Sequence, residues 1–434
     1  MRSLFGRLIH CVRNDPILAS GIPLAGANTF AHVVTIALLP ILTRLAGPEQ
    51  FGVFGTFLGI AAIFLPIVSL RYEWAIPLPE SDATAARLMQ ISMYLLAFFA
   101  LLAPAGALLV RPYLRPESAA AEALQYWWLL SAALIVMGGI QALTTGWVTR
   151  SKEFLHLGRS RVAQSFAVGG LQLGLLMYSS TALSLIIGFV IGQLIAYAGM
   201  ANRCRQRMGR WLKSSPETSM RATAKRFRKF PMLSSPSSLL NSLGTEAPLL
   251  LLGAVAGISA AGQFAIAQRF VALPAVLISA SIAQPFWSEA ARLIRNQPRE
   301  LRKVYHTKLR QLLILALLIV LVIASSRWVF PILLGADWVE AGEMASCMAI
   351  LVFGRIAFGS LSALEYQGMQ GLNLIWNVGR LIVVTASILI PASLGADAVA
   401  IVIVYSIVSA SWYLMMAVFN EIGFQRVISS GVST

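Results

Sequence analysis

Three arginines lie deep within long apolar stretches of the sequence: Arg269, Arg355 and Arg380. An ionised side chain is costly in lipid, so such a residue usually faces a cavity or a partner. The planar guanidinium group pairs bidentately with phosphate oxygens. Because all three arginines lie in the C-terminal half, we predict that they bind one anionic ligand. The alternative for each is an ion pair or a carbonyl contact between helices.

One carboxylate, Glu246, also lies well inside an apolar stretch. It lies on a polar face with Ser235, Ser238 and Ser242 at helical spacing, and Asn241 and Thr245 widen that face. We predict that Glu246 is a coupling site for a proton or a cation, and the alternative is a hydrogen bond between helices.

The first apolar stretch carries a similar polar face, formed by Asn28, His32 and Thr35 at positions i, i+4 and i+7. Two such faces suggest two helices that line a cavity, and Asn28 is then a candidate substrate contact. His32 is a candidate coupling residue because imidazole titrates near neutral pH. The alternative for His32 is a hydrogen bond between helices.

The elements that position these residues follow from composition. The 434 residues are 57% hydrophobic and 12% charged, so most of the chain cannot face water. A spanning helix needs about 20 apolar residues, because the hydrocarbon core is about 30 Å thick. Stretches of this length predict an all-α membrane protein with about 12 transmembrane helices in two sets of six. The predicted spans are about 20–42, 53–77, 87–110, 124–148, 162–179, 182–202, 232–255, 262–285, 309–334, 342–366, 371–392 and 397–420.

The formal net charge of +16 comes from basic residues that lie mostly between the spans. They concentrate in alternate loops, including 150–161 and 203–229. This asymmetry predicts a multi-pass protein with both termini in the cytoplasm. Topology and attraction to anionic headgroups explain the charge, and no recognition fold accompanies it, so we predict no nucleic-acid partner.

The sequence lacks the motifs that catalysis would need. GxxxxGK[ST], HExxH and GxSxG are absent. Cys11, Cys204 and Cys347 have no metal-ligand spacing. We therefore predict neither an enzyme nor a bound cofactor or metal ion.

Two blocks of sequence carry a family resemblance. The first runs from Leu45 to Gly52 and continues at 70–79, and the second includes Phe230, 240–242 and 261–269. They resemble the polysaccharide transport family of oligosaccharide flippases, whose superfamily also contains the multidrug and toxin extrusion proteins and the lipid II flippases. By position, Arg71, Asn241 and Arg269 match motif residues that we assign to the substrate, and Glu73 matches a candidate for ion coupling.

The resemblance implies two six-helix lobes around a central, cationic cavity. We expect an N-terminal lobe at 1–205 that includes an amphipathic N-terminal helix, a basic cytoplasmic linker at 206–230, and a C-terminal lobe at 231–434. The lobes of such a protein expose the cavity alternately to the two sides of the membrane.

The implied cargo is a polyprenyl-pyrophosphate-linked oligosaccharide, moved across the bacterial inner membrane for lipopolysaccharide O-antigen, capsule or exopolysaccharide. A polysaccharide polymerase and a chain-length regulator are the implied protein partners. One alternative is a cation-coupled multidrug extruder of the same fold, but its cationic drugs favour acidic and aromatic groups. Another is a membrane-bound polymerase, but the predicted outer loops are short.

Overall fold

The computed structural model describes residues 16–214, 219–278, 286, 298–361 and 370–430, and these are helical with no strand among them. Helices satisfy their own backbone hydrogen bonds, which lipid does not provide. The α-helices are Pro16–Leu45 (α1), Pro48–Val68 (α2), Asp82–Val110 (α3), Ala119–Leu124 (α4), Trp127–Gln141 (α5), Thr149–Ser151 (α6), Phe154–Tyr178 (α7), Ala182–Ser214 (α8), Met220–Arg226 (α9), Ser235–Val255 (α10), Ile258–Ile278 (α11), Pro298–Ala324 (α12), Ser326–Leu334 (α13), Val339–Cys347 (α14), Ala349–Gly354 (α15), Gln370–Ser393 (α16) and Ala398–Ser430 (α17). Short 3₁₀ turns lie at Tyr72–Ala75, Arg111–Tyr113 and Ala336–Trp338, and π-helical turns at Ala142–Val148, Phe230–Ser234 and Arg355–Gly359.

The predicted all-α membrane fold is confirmed. Ten segments among the described residues are long and apolar enough to cross a membrane. The long helices α7 and α11 lie at two further predicted spans, which gives about twelve. The predicted N-terminal amphipathic helix lies outside the described residues.

Two predicted helix boundaries are wrong. The second span was expected to run to residue 77, but α2 ends at Val68, because Leu70 and Arg71 adopt positive φ angles of 49° and 61°. The fifth span was expected to begin at 162, but α7 begins at Phe154. Arg161, assigned above to a cytoplasmic loop, is therefore within a helix.

The contacts divide the chain into two compact units. Unit 1 contains the described residues up to Leu45 together with Ala61–Tyr113 and Leu124–Leu239. Unit 2 contains Ala46–Ile60, Leu114–Ala123 and the described residues from Leu240 onward. Two short segments of the N-terminal half thus pack with unit 2, including the first part of α2. The predicted lobe boundaries at 205 and 230 stay a prediction.

Unit 1 is built around α7, which packs against both α1 and α8. The two glycines of a GxxxG pattern in α8 allow the close contact with α7. A Cβ on Gly192 would lie 2.6 Å from the backbone of Val168, and one on Gly188 would lie 2.8 Å from the backbone of Gln172. Small residues at such crossings let helix backbones approach closely in lipid.

Unit 2 depends on an equally close contact between the start of α2 and the start of α11. A Cβ on Gly262 would lie 1.7 Å from the carbonyl oxygen of Pro48, and one on Gly52 would lie 2.1 Å from that of Ile258. Both glycines belong to the sequence blocks of the family resemblance. Next to this crossing, Phe51 packs edge-on against the buried Trp338, with ring centroids 5.4 Å apart.

The Gly52–Gly262 crossing predicts the effect of one added methyl group. We expect Gly262→Ala to destabilise the protein by about 2 kcal/mol or more, because backbone atoms cannot give way as a flexible side chain can. Thermal unfolding in detergent, followed by circular dichroism, measures the change. Gly174→Ala is the control, since nothing lies within 4 Å of a Cβ at that position. Equal unfolding midpoints for the two variants would contradict the close contact.

Candidate functional site

In unit 2, Arg380 on α16 bridges to the polar face of α10. Its Nη1 donates to Oδ1 of Asn241 at 3.3 Å, and its Nη2 donates to Oγ1 of Thr245 at 2.9 Å. Asn241 and Thr245 are one helical turn apart, so both reach the same guanidinium group. The Arg380 guanidinium also lies 5.6 Å from the ring of Trp376, within the range of a cation–π contact. The structure thus brings together two residues that sequence analysis proposed separately, Arg380 and Asn241.

The turn that contains Arg355 packs against α17, and the helix α16 that carries Arg380 packs against α17 as well. Arg355 opens a π-helical turn, a feature that often marks a functional position. Close packing holds this turn in place, since a Cβ on Gly354 would lie 3.0 Å from the Cα of Ala410 on α17. The side chain of Arg355 is exposed.

Arg269 on α11 has a different setting. Its guanidinium lies 5.0 Å from the ring of Phe54 on α2, and its side chain is exposed. Among the described residues, no carboxylate lies within 4 Å of Arg269, Arg355 or Arg380. The ion pairs offered as an alternative are therefore not found in that part of the chain. Glu365, which the sequence suggests as a partner for Arg355 or Arg380, lies outside the described residues.

Glu246 lies on α10 but does not pair with the arginines. Its carboxylate faces α2, where a Cβ on Gly59 would lie 3.3 Å from the Glu246 Oε2. Leu249 and Leu250 flank the same spot. Within the described residues Glu246 has no ion pair. Its proposed role in coupling stays a prediction.

In unit 1, Arg71 and Glu73 lie together in the turn that follows α2. The Arg71 Nη1 is 3.9 Å from the Glu73 Oε1, which also accepts a hydrogen bond from Gln141 Nε2 at 3.4 Å. The Glu73 residue is 0% exposed, and its Oε2 has no hydrogen-bond partner among the described residues. Arg71 stacks on Trp74 at 4.9 Å and keeps its left-handed backbone conformation, which is unfavourable for a residue other than glycine.

Asn28 and His32 lie on α1, and both are half-buried. The structure adds a group that sequence analysis missed: Arg161 lies on α7, the helix that packs against α1. Arg161 and Gln164 are i and i+3 on α7, a spacing that signals a shared helix face. The signal was missed because Arg161 was counted with the preceding basic loop.

No group of His, Cys, Asp or Glu suited to a metal ion occurs in the described part of the chain.

The family of the protein can be assigned by comparison with known sequences. A family model described as polysaccharide biosynthesis protein matches residues 41–343. The chain belongs to this family. The match includes both sequence blocks described above and the starts of α2 and α11, which form the Gly52–Gly262 crossing. No curated protein sequence matches the chain.

Solved structures with this fold support the same assignment. A lipid II flippase MurJ in an inward closed conformation has a TM-score of 0.67 and 13% identity, over 94% of this chain and 90% of that chain. A multidrug resistance MATE family transporter of the MOP superfamily, in an inward-facing conformation, has a TM-score of 0.63 and 14% identity. The match covers 94% of this chain and 96% of that chain. A MOP superfamily transporter from Pyrococcus furiosus, described as having a reversed polarity of the binding pocket, has a TM-score of 0.63 and 15% identity. The match covers 96% of this chain and 97% of that chain.

This polysaccharide biosynthesis family member is thus a multi-pass membrane protein with the fold of the MOP superfamily. The predicted resemblance is confirmed for the polysaccharide biosynthesis family and for the shared fold. The roles proposed for individual side chains remain predictions.

The buried carboxyl group of Glu73 predicts a dependence of stability on pH. Burial raises the pKa of Glu73 above its ordinary value, although the Ser69 hydrogen bond, a backbone hydrogen bond and Arg71 oppose this in part. A group with a raised pKa contributes stability that is complete below its unfolded-state pKa and is lost as the pH rises through the folded-state pKa. As the pH rises above about 4, the ordinary pKa of a glutamate, the free energy of unfolding should therefore fall more steeply in the wild type than in Glu73→Gln.

Thermal unfolding across this pH range measures the difference. Glu80→Gln is the matched control, because Glu80 lies in the same loop and is exposed. Its pH profile should follow the wild type. Identical profiles for Glu73→Gln and the wild type would contradict the assignment of a buried carboxyl group that titrates on unfolding.

Proposed function

We propose that the protein is a flippase that moves a polyprenyl-pyrophosphate-linked oligosaccharide from the cytoplasmic to the outer leaflet. One observation carries this proposal: a polysaccharide biosynthesis protein with a MOP fold keeps Arg269, Arg355 and Arg380 in its helices, with no carboxylate within 4 Å in the described part of the chain. Such uncompensated positive charge favours an anionic ligand.

The chemistry of the cargo matches the side chains. A guanidinium group offers a planar fork of N–H donors to the pyrophosphate oxygens. The Asn241 amide and the Thr245 hydroxyl suit sugar hydroxyls. The prenyl tail prefers lipid throughout, so the protein has to shield only the headgroup from the hydrocarbon core. Arg380 contacts Asn241 and Thr245, which supports a site where phosphate and sugar are bound side by side.

Two alternatives account for these observations less well. A multidrug extruder shares the fold, but positive charge in the helices repels cationic drugs. The Pyrococcus furiosus transporter is described as one in which reversed pocket polarity suggests a different function, and this supports using polarity as a criterion. A membrane-bound polymerase would need a donor-sugar site, and the family match gives no support for one.

The biological setting is part of the proposal. The protein would act in the bacterial inner membrane with both termini in the cytoplasm, because the basic loops favour that orientation. Its product would serve lipopolysaccharide O-antigen, capsule or exopolysaccharide assembly, with a polymerase and a chain-length regulator downstream. The two lobes would expose the site alternately to the two leaflets.

The role of the three arginines can be tested in reconstituted vesicles. We expect alanine at Arg269, Arg355 or Arg380 to slow translocation of a fluorescent prenyl-pyrophosphoryl sugar about tenfold or more, since a hydrogen bond to a charged group contributes about 1.5–3 kcal/mol. Lysine should restore part of the rate, because it keeps the charge but loses the fork. The control is Arg221→Ala in the exposed part of α9. Wild-type rates in all three alanine variants, at equal protein levels, would overturn the proposal.

Glu246 can be tested separately as the coupling group. Glu246→Gln keeps the size and hydrogen bonding of the side chain but removes the titrating proton. We expect this variant to lose the acceleration that an imposed pH or sodium gradient produces in the wild type, while Glu300→Gln at the exposed start of α12 retains it. A response equal to that of the wild type would make Glu246 a structural residue.

A further inference from the structure

A polar cluster in unit 1, formed by α7 and α8, takes no part in the arginine site described above. Gln164 on α7 is its centre. Its Nε2 donates to Oε1 of Gln193 at 2.7 Å, and its Oε1 accepts from the Tyr197 hydroxyl at 3.2 Å and from Arg161 Nη1 at 3.5 Å. The Arg161 guanidinium lies 6.0 Å from the Tyr197 ring. Two helices therefore contribute to one group of polar side chains.

The cluster lies within the membrane-spanning part of the unit. Gln193 is the twelfth residue of α8, which places it about 17 Å from the start of that helix, near the middle of a core about 30 Å thick. Tyr197 lies one turn further along, toward the end that we propose to be cytoplasmic. Next to Gln193, Gly192 brings the backbones of α7 and α8 together, so the two glutamine side chains are held at a helix crossing.

The amide groups of the cluster are satisfied by each other, but the charge is not. Gln164 and Gln193 bond directly, as polar residues that join helices in lipid often do. Arg161 adds a positive charge, although the hydrogen bond between Gln164 and Gln193 forms between two uncharged amides. No carboxylate lies within 4 Å of Arg161 among the residues that the structure describes. The Arg161 side chain is only half-buried, so part of it stays accessible to an anionic ligand.

We propose that Arg161, Gln164 and Gln193 form a second site, in unit 1, for a phosphate ester that carries neighbouring hydroxyl groups. Arg161 binds the phosphate, and the amides exchange their mutual hydrogen bond for bonds to the hydroxyls. This inference rests on the proposed function and extends it, because the sugar-phosphate end of the cargo has this chemistry. The headgroup of a glycerol-based anionic lipid has the same chemistry, and the experiment separates the two sources.

The experiment measures binding of farnesyl-pyrophosphoryl N-acetylglucosamine to the purified protein in phosphatidylcholine nanodiscs by titration calorimetry. The variants are Arg161→Gln, Arg161→Lys and Arg269→Ala, with Arg159→Gln as the matched control. Arg159 lies on the same helix two residues away and is exposed. We expect Arg161→Gln to raise the Kd about tenfold or more. Arg161→Lys should stay within a few-fold of the wild type, which also shows that the helix packing survives a change at this position, and Arg159→Gln should bind as the wild type does.

The outcomes distinguish this inference from the proposed function. An unchanged Kd in Arg161→Gln, together with weaker binding in Arg269→Ala, would overturn the second site and leave the proposed function standing. No binding by the wild type would overturn both. In a further arm, binding of short-chain phosphatidylglycerol to the protein in phosphatidylcholine nanodiscs is measured without the probe. If Arg161→Gln weakens binding of this lipid but leaves the Kd of the probe unchanged, the site belongs to a lipid headgroup and the assignment to cargo is wrong. Weaker binding of the probe in Arg161→Gln, with lipid binding unchanged, supports the cargo.

Discussion

An ionised side chain without a partner is costly in lipid, and this cost accounts for how the arginines of the protein are held. The arginines in helices without a carboxylate within 4 Å in the described part of the chain include Arg161, Arg269, Arg355 and Arg380. Their observed partners are uncharged. Aromatic faces lie near Arg161, Arg269 and Arg380, and amide or hydroxyl oxygens accept from Arg161 and Arg380. Partners of this kind orient a guanidinium group and lower its desolvation cost, but they leave its net charge in place.

The contacts of an arginine are therefore a better guide to whether its role is structural or in binding than its position along an apolar stretch. Arg150 is bound to the Asp82 carboxylate and to the carbonyl oxygens of Pro79 and Glu80, so it holds the turn that follows α2. Arg71 is intermediate, because it is 3.9 Å from the Glu73 carboxylate. Under the proposed function, an anionic cargo would bring negative charge to Arg161, Arg269, Arg355 and Arg380, which have no carboxylate within 4 Å in the described part of the chain.

Close helix packing positions these side chains. Gly52 and Gly262 let α2 and α11 meet backbone to backbone, and this contact brings Phe54 beneath Arg269. In unit 1, Gly192 lets α7 and α8 meet where Gln164 bonds to Gln193. Glycine serves here because any side chain would hold the helices apart, and in lipid van der Waals packing is a main source of helix association. The sequence blocks that carry the family resemblance include Gly52 and Gly262, so part of the family signature has a packing explanation.

The sequence alone predicted the all-α membrane fold, about twelve spans and the arginines in the C-terminal half, because apolar length and isolated charges are local properties of the chain. It also placed Asn241 and Thr245 on one helix face, since that follows from the helical period. It did not predict that Arg380 bonds to both, because the pairing joins α10 to α16 across more than a hundred residues. It assigned Arg161 to a loop, because hydropathy is averaged over a window and a basic run lowers the average where a helix has already begun. The tertiary structure decided which charges found partners, since that depends on which helix faces meet, and a one-dimensional pattern of polarity does not contain this information.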